Sequence, residues 1–120
     1  MNEKFIKKLL ELGFKKEIDN LYSFANKDKL YSTLNYWETF IYFENNKYFL
    51  STNGDLVENF DAPDIDIIYM LEEIKKEIGK FGCYLDVSKI VKEVNINDFE
   101  NELDLFTKAV KNVDKMYKDL

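Results

Sequence analysis

The chain has 120 residues, the length of one domain and too short to divide comfortably into two packed cores. Hydrophobic residues make up 46% and charged residues 33%, a balance that supports a folded globule and excludes a disordered chain. Histidine is absent and all 17 basic residues are lysine, which removes the usual neutral-pH general base, the commonest metal ligand and the guanidinium fork for phosphate.

A lone cysteine, Cys83, allows no internal disulfide and suits a reducing compartment. The opening Met1-Asn2-Glu3-Lys4-Phe5 lacks the pattern of a signal peptide, and no apolar run approaches the roughly 20 residues that span a bilayer. A cytoplasmic protein with no membrane partner is the expectation.

The net charge of -6 is unevenly spread. Between Ser51 and Ile74 stand Asp55, Glu58, Asp61, Asp64, Asp66, Glu72 and Glu73 with no lysine among them. The first 16 residues lean the other way, through Lys4, Lys7, Lys8, Lys15 and Lys16. Acid at this density repels nucleic acid and attracts basic protein surfaces, so direct DNA or RNA binding is not expected.

In chain order, Phe5, Ile6, Leu9, Leu10 and Leu12 recur at helical spacing and Gly13 is placed to end a short first helix. Ile18 to Ala25 reads as a strand, Asn26 to Lys29 as a turn, and Leu30 to Leu34 as its return. Tyr36 to Phe43, rich in β-branched and aromatic residues, is the strongest strand pattern; Asn45-Asn46 follows it. Lys47 to Thr52 forms the next strand, and Asn53-Gly54 predicts a tight turn into a further strand, Asp55 to Phe60.

A middle helix begins near Asp64, a candidate cap, with Ile67, Leu71, Ile74, Ile78 and Phe81 forming a stripe toward the sheet. Gly79 and Gly82 mark its end, and Cys83 to Val94 supplies one or two short strands. Asn97, with Glu100 three residues on, predicts the capped start of a long last helix. Its stripe, Phe99, Leu103, Phe106, Val110, Val113, Tyr117 and Leu120, fits packing on the chain's own sheet; a homodimer seam through Phe99–Leu120 is the alternative. The fold class is therefore α+β: an antiparallel meander sheet packed with an N-terminal, a middle and a long C-terminal helix.

Few constellations carry chemistry. Pro63-Asp64 followed by Glu73-Ile74-Lys75 imitates a nuclease signature, but that chemistry needs carboxylates converging on a metal, and one helix would keep these groups two turns apart. Asp61, Asp64 and Asp66 lack the glycine and distal glutamate of a calcium loop, so no metal is predicted. Cys83 sits among Phe81, Tyr84 and Leu85 and reads as a small core residue. No Gly-rich phosphate loop is present and no cofactor is expected.

Aromatic residues reach 16%. In the strongest strand Trp37, Ile41 and Phe43 alternate with Tyr36, Phe40 and Tyr42, so both faces are bulky. Helices on both faces would bury them all. Helices on one face would leave aromatics beside an acidic rim, the kind of surface from which binding hot spots are built.

Three segments carry a family resemblance: the strand Glu38-Thr39-Phe40-Ile41-Tyr42-Phe43, the hairpin Tyr48-Phe49-Leu50-Ser51-Thr52-Asn53-Gly54-Asp55-Leu56, and Phe81-Gly82-Cys83-Tyr84-Leu85. Over Trp37 to Leu85 the chain resembles the domain-of-unknown-function family numbered 1828, found in small bacterial and phage proteins. The family usually has aspartate where this chain has Thr52. The resemblance implies an α+β meander with helices and a link to mobile elements, and it offers no catalytic residues.

The functional expectation is a non-enzymatic, acidic protein-binding inhibitor, such as a phage anti-CRISPR or anti-restriction protein. Its partner is a basic surface on a nuclease or toxin, met by Asp55, Glu58, Asp61, Asp66, Glu72 and Glu73 with Trp37 and Tyr42. Alternatives are a toxin-neutralising immunity or antitoxin protein, or a self-associating module of a mobile element.

Overall fold

A computed structural model describes residues 1–30, 36–53 and 64–118. The order is α1 (Glu3–Glu11), β1 (Lys15–Ile18), β2 (Leu21–Lys29), β3 (Tyr36–Glu44), β4 (Lys47–Thr52), α2 (Asp64–Gly79), β5 (Tyr84–Asp86), β6 (Lys89–Val94), a 3₁₀ turn (Ile96–Asp98) and α3 (Phe99–Lys118). The strands form one six-stranded sheet in the order β1-β2-β3-β4-β6-β5, every pair antiparallel. This is the expected α+β meander with three helices.

Local chemistry fixes the ends of the elements. The Asn2 side chain accepts the backbone N–H groups of Lys4 and Phe5, at 2.8 and 3.2 Å, and so caps α1. At its far end Phe14 N–H reaches the Leu9 carbonyl and Gly13 N–H the Leu10 carbonyl, with Gly13 at φ 99. The same pair of bonds recurs after α2, from Cys83 to Ile78 and from Gly82 to Gly79, with Gly82 at φ 75. Both helices thus stop in a Schellman motif whose left-handed position is a glycine.

The turns follow the same logic. Asn45 and Asn46 both hold positive φ, 52 and 61, between the paired Glu44 and Lys47, which is the requirement of a type I′ hairpin. Asn20, at φ 65, closes the β1–β2 turn. The β5–β6 turn places Val87 at φ 56, a conformation that β-branched residues rarely adopt.

Strand registers sort the side chains into two faces. Tyr22, Trp37, Ile41, Leu50, Ile90 and Val94 share one face and belong to a single buried core. The helices pack there: Phe5 and Leu9 from α1, Ile74 and Ile78 from α2, and Phe99, Phe106, Val110 and Val113 from α3 all lie in that core. Phe5 sets its ring edge-on to both Tyr48 and Phe99, at 5.1 and 4.9 Å between centroids. Fully burying each side chain of this size contributes about 1.5–3 kcal/mol.

Several expectations change. The strand expected at Ile18 to Ala25 is two strands, because Asp19 and Asn20 turn the chain. The expected turn at Asn26 to Lys29 lies inside β2: the Asn26 amide donates to the Trp37 carbonyl and Thr39 Oγ1 on β3, and a register shift between Ala25 and Lys29 absorbs the irregularity. Most of the expected return strand, from Tyr31 onward, lies outside the described residues, as does Asp55 to Phe60. The edge of β4 that a hairpin from Asn53-Gly54 would need is filled by β6.

Asn97 is not the cap of α3. It sits within the 3₁₀ turn, where its own N–H is taken by the Asn95 side chain. The α3 stripe is spent on the chain's own core, with Phe99, Phe106, Val110 and Val113 fully buried. Leu103 of that stripe is half-buried, and the side chains of Tyr117 and Leu120 lie outside the described residues. No helix among the described residues is long and apolar enough to cross a membrane.

Candidate functional site: the open face of the sheet

Alternation along the strands places a second set of side chains opposite the helices. One row runs across all six strands, Lys15, Ser23, Phe40, Ser51, Val91 and Tyr84. The next holds Leu21, Tyr42, Phe49 and Glu93. None of these residues belongs to the helix-packed core. Among the described residues, no helix packs on this face.

The face is hollowed rather than flat. Ser23, Ser51 and Val91 are buried, Phe40, Tyr42 and Phe49 are half-buried, and Tyr84 is 46% exposed. A hollow of about 330 Å³ is lined by Leu21, Phe40, Tyr42, Thr52, Asn53 and Lys89, with Ser51. Asn53 Oδ1 is buried and has no hydrogen-bond partner among the described residues. Tyr42 and Phe49 stack with centroids 5.1 Å apart and planes 20° from parallel.

Charge surrounds the aromatics. Glu44 follows Tyr42 on β3, Asp86 follows Tyr84 on β5, and Glu93 lies beside Phe49. Lys47 holds Glu93 at 3.3 Å, whereas Glu44 and Asp86 have no ion pair among the described residues. Burial pushes the Tyr42 phenol above its ordinary value, and Tyr84, Glu44 and Asp86 add to the rise. Tyr84 is raised in the same way by burial, Asp86 and Glu93, against the pull of Lys47. These mutual effects bring the two tyrosines and their acids into one neighbourhood.

The residues singled out from the sequence divide sharply. Tyr42 lies on the open face. Trp37 does not: it is 1% exposed on the helix-packed face, because residues of odd and even number in β3 point oppositely. It is a core residue and is withdrawn from the site. Asp55, Glu58 and Asp61 lie outside the described residues, and Asp66 falls in the first turn of α2.

Glu72 and Glu73 are exposed on α2, but Lys75 and Lys76 pair with them at 3.3 and 3.4 Å, which lowers the field they present. Asp64, Glu73 and Lys75 all sit on that one helix. The spacing keeps Asp64 and Glu73 roughly 13 Å apart along its axis, so they do not form a nuclease centre. Among the described residues no group of three His, Cys, Asp or Glu is arranged to hold a metal. Cys83 is buried, and that burial raises its thiol to about 11 despite the pull of Lys92, so it is not an activated nucleophile.

Sequence reasoning missed Phe49, Tyr84, Glu44 and Asp86. Phe49 was within reach: once Asn45-Asn46 is read as a two-residue turn, Glu44 pairs with Lys47 and Tyr42 must face Phe49. Tyr84 and Asp86 were not, because the β5–β6 hairpin follows α2 and joins the meander by pairing β6 with β4, a contact no local turn announces. Compared with protein-family models, with curated proteins and with solved structures, the chain finds no match.

Proposed function

We propose that the chain is a non-enzymatic protein-binding inhibitor that covers a basic, nucleic-acid-handling partner with the open face of its sheet. The observation that carries this reading is the one-sided placement of the helices, which leaves Phe40, Tyr42, Phe49 and Tyr84 together outside the core. Tyrosine and phenylalanine in a ring of polar groups are the usual anchors of an interface. Among the described residues Glu38, Glu44, Asp86 and Glu93 outnumber Lys15, Lys47 and Lys89 on this face by one, and the chain as a whole carries -6. Such a surface is drawn to a groove that normally holds nucleic acid.

The chemistry left out of the composition supports the same reading, since binding needs neither histidine nor arginine. A phage-encoded blocker of an RNA-guided or restriction nuclease and a toxin-neutralising protein both fit, and both act by occlusion. The test is inhibition of purified nucleases and nuclease toxins by the wild-type chain and by a Tyr42→Ala, Phe49→Ala double variant. The wild type should suppress cleavage by one of them, more weakly at higher salt, and the double variant at least tenfold less. Inhibition unchanged in the double variant rules out this face; no inhibition by the wild type rules out the reading.

A further inference from the structure

Resting on that docking surface, we infer that the open face seats an arginine side chain of the partner, its guanidinium lying on the Tyr42–Phe49 pair and drawn by Glu44 and Asp86. The ring geometry favours a flat cation. On the helix-packed side Phe5 meets Tyr48 and Phe99 at 82° and 81°, crossed arrangements that close a core. Tyr42 and Phe49 lie 20° from parallel and outside the core, so each turns one face to the other and keeps its outer face for a flat group that would continue the stack. A planar guanidinium extends such a stack and keeps its N–H donors free at the edge; a compact ammonium gains less from it.

The acids beside the pair retain their capacity. Lys47 occupies Glu93 and Lys15 occupies Glu17, at 3.3 and 3.5 Å. Glu44 and Asp86 have no such partner among the described residues and both act on the Tyr42 phenol. Lys89 stands opposite Asp86 in the β5–β6 hairpin without closing an ion pair, and it lines the hollow together with Asn53. Lys47 stands opposite Glu44 in the same way, but Glu93 holds it at 3.3 Å. The hollow takes the aliphatic stem along Phe40 and Leu21.

The test is an NMR titration of the full chain at low salt with three hexapeptides of alternating glycine and arginine, lysine or citrulline. The arginine peptide should shift the ring signals of Tyr42 and Phe49 and bind at least fivefold more tightly than the lysine peptide; the uncharged citrulline peptide should not bind. A Glu44→Gln, Asp86→Asn variant should lose at least fivefold for arginine with its folded spectrum unchanged. Lysine matching arginine on the same rings overturns the arginine assignment and leaves the docking face standing. Shifts that avoid these rings and gather near Glu72 and Glu73 count against both.

Discussion

Gly82 sits where two demands meet. Its φ of 75 closes the Schellman motif after α2, and a Cβ there would come within 2.6 Å of Lys92 Nζ. That ammonium cannot swing away freely. Lys92 is 7% exposed on the helix-packed face, donates to the Phe81 carbonyl at 2.7 Å and lies 3.9 Å from the Glu102 carboxylate. The buried lysine therefore neutralises the exposed carbonyl end of α2. A left-handed alanine costs about 1–2 kcal/mol and the contact with Lys92 adds to it, so Gly82→Ala should lose at least that much unfolding free energy, seen as a lower urea midpoint with the transition slope unchanged.

Cys83, the next residue, gives a pH signature. Its thiol is held at about 11 by burial, against an unfolded value of 9.0. Between those limits the unfolded chain has released a proton that the folded chain keeps. Stability from this group is complete below about pH 9 and is lost as pH rises toward 11. Denaturation measured from pH 8 to 11 should show a steeper alkaline decline in the wild type than in Cys83→Ala.

At the scale of elements, α3 ties the molecule together, since its buried stripe closes the core over the sheet and α2. Asn112 on α3 donates to Glu77 on α2 at 2.9 Å, and Lys80 holds the other oxygen of that carboxylate at 2.8 Å. Phe106→Ala removes a fully buried ring and should cost about 3–5 kcal/mol in chemical denaturation, as large-to-small core substitutions do. Much of this scale was legible in the sequence. The α2 and α3 stripes, the β3 and β4 alternation and the closing glycines of two helices all depend on contacts a few residues apart. What failed was non-local. Asn26 looks like a turn residue until its amide finds Trp37 and Thr39 on the next strand, and Asn53-Gly54 promises a hairpin whose place β6 has taken. The site suffered most: the opposite parity of Trp37 and Tyr42 in β3 was legible, but which of the two faces the helices cover was not.

For the whole molecule, the decisive feature is asymmetry. Three helices pack on one face of the sheet, and among the described residues none packs on the opposite face. Lysines at 4, 7, 8, 15 and 16 cluster on α1 and β1, while Glu44, Asp86 and Glu93 stand around the aromatics. On the proposed reading a partner would be oriented by charge before the aromatics engage, and association should slow as salt screens that field. The central claim is that this face is open. Hydroxyl-radical footprinting of the free chain tests it most directly: Tyr84 should be oxidised faster than Trp37, despite the greater intrinsic reactivity of indole, with Tyr42 and Phe49 modified and Tyr22 protected. Oxidation of Trp37 matching that of Tyr84, or protection of Tyr42, Phe49 and Tyr84 together, would contradict it.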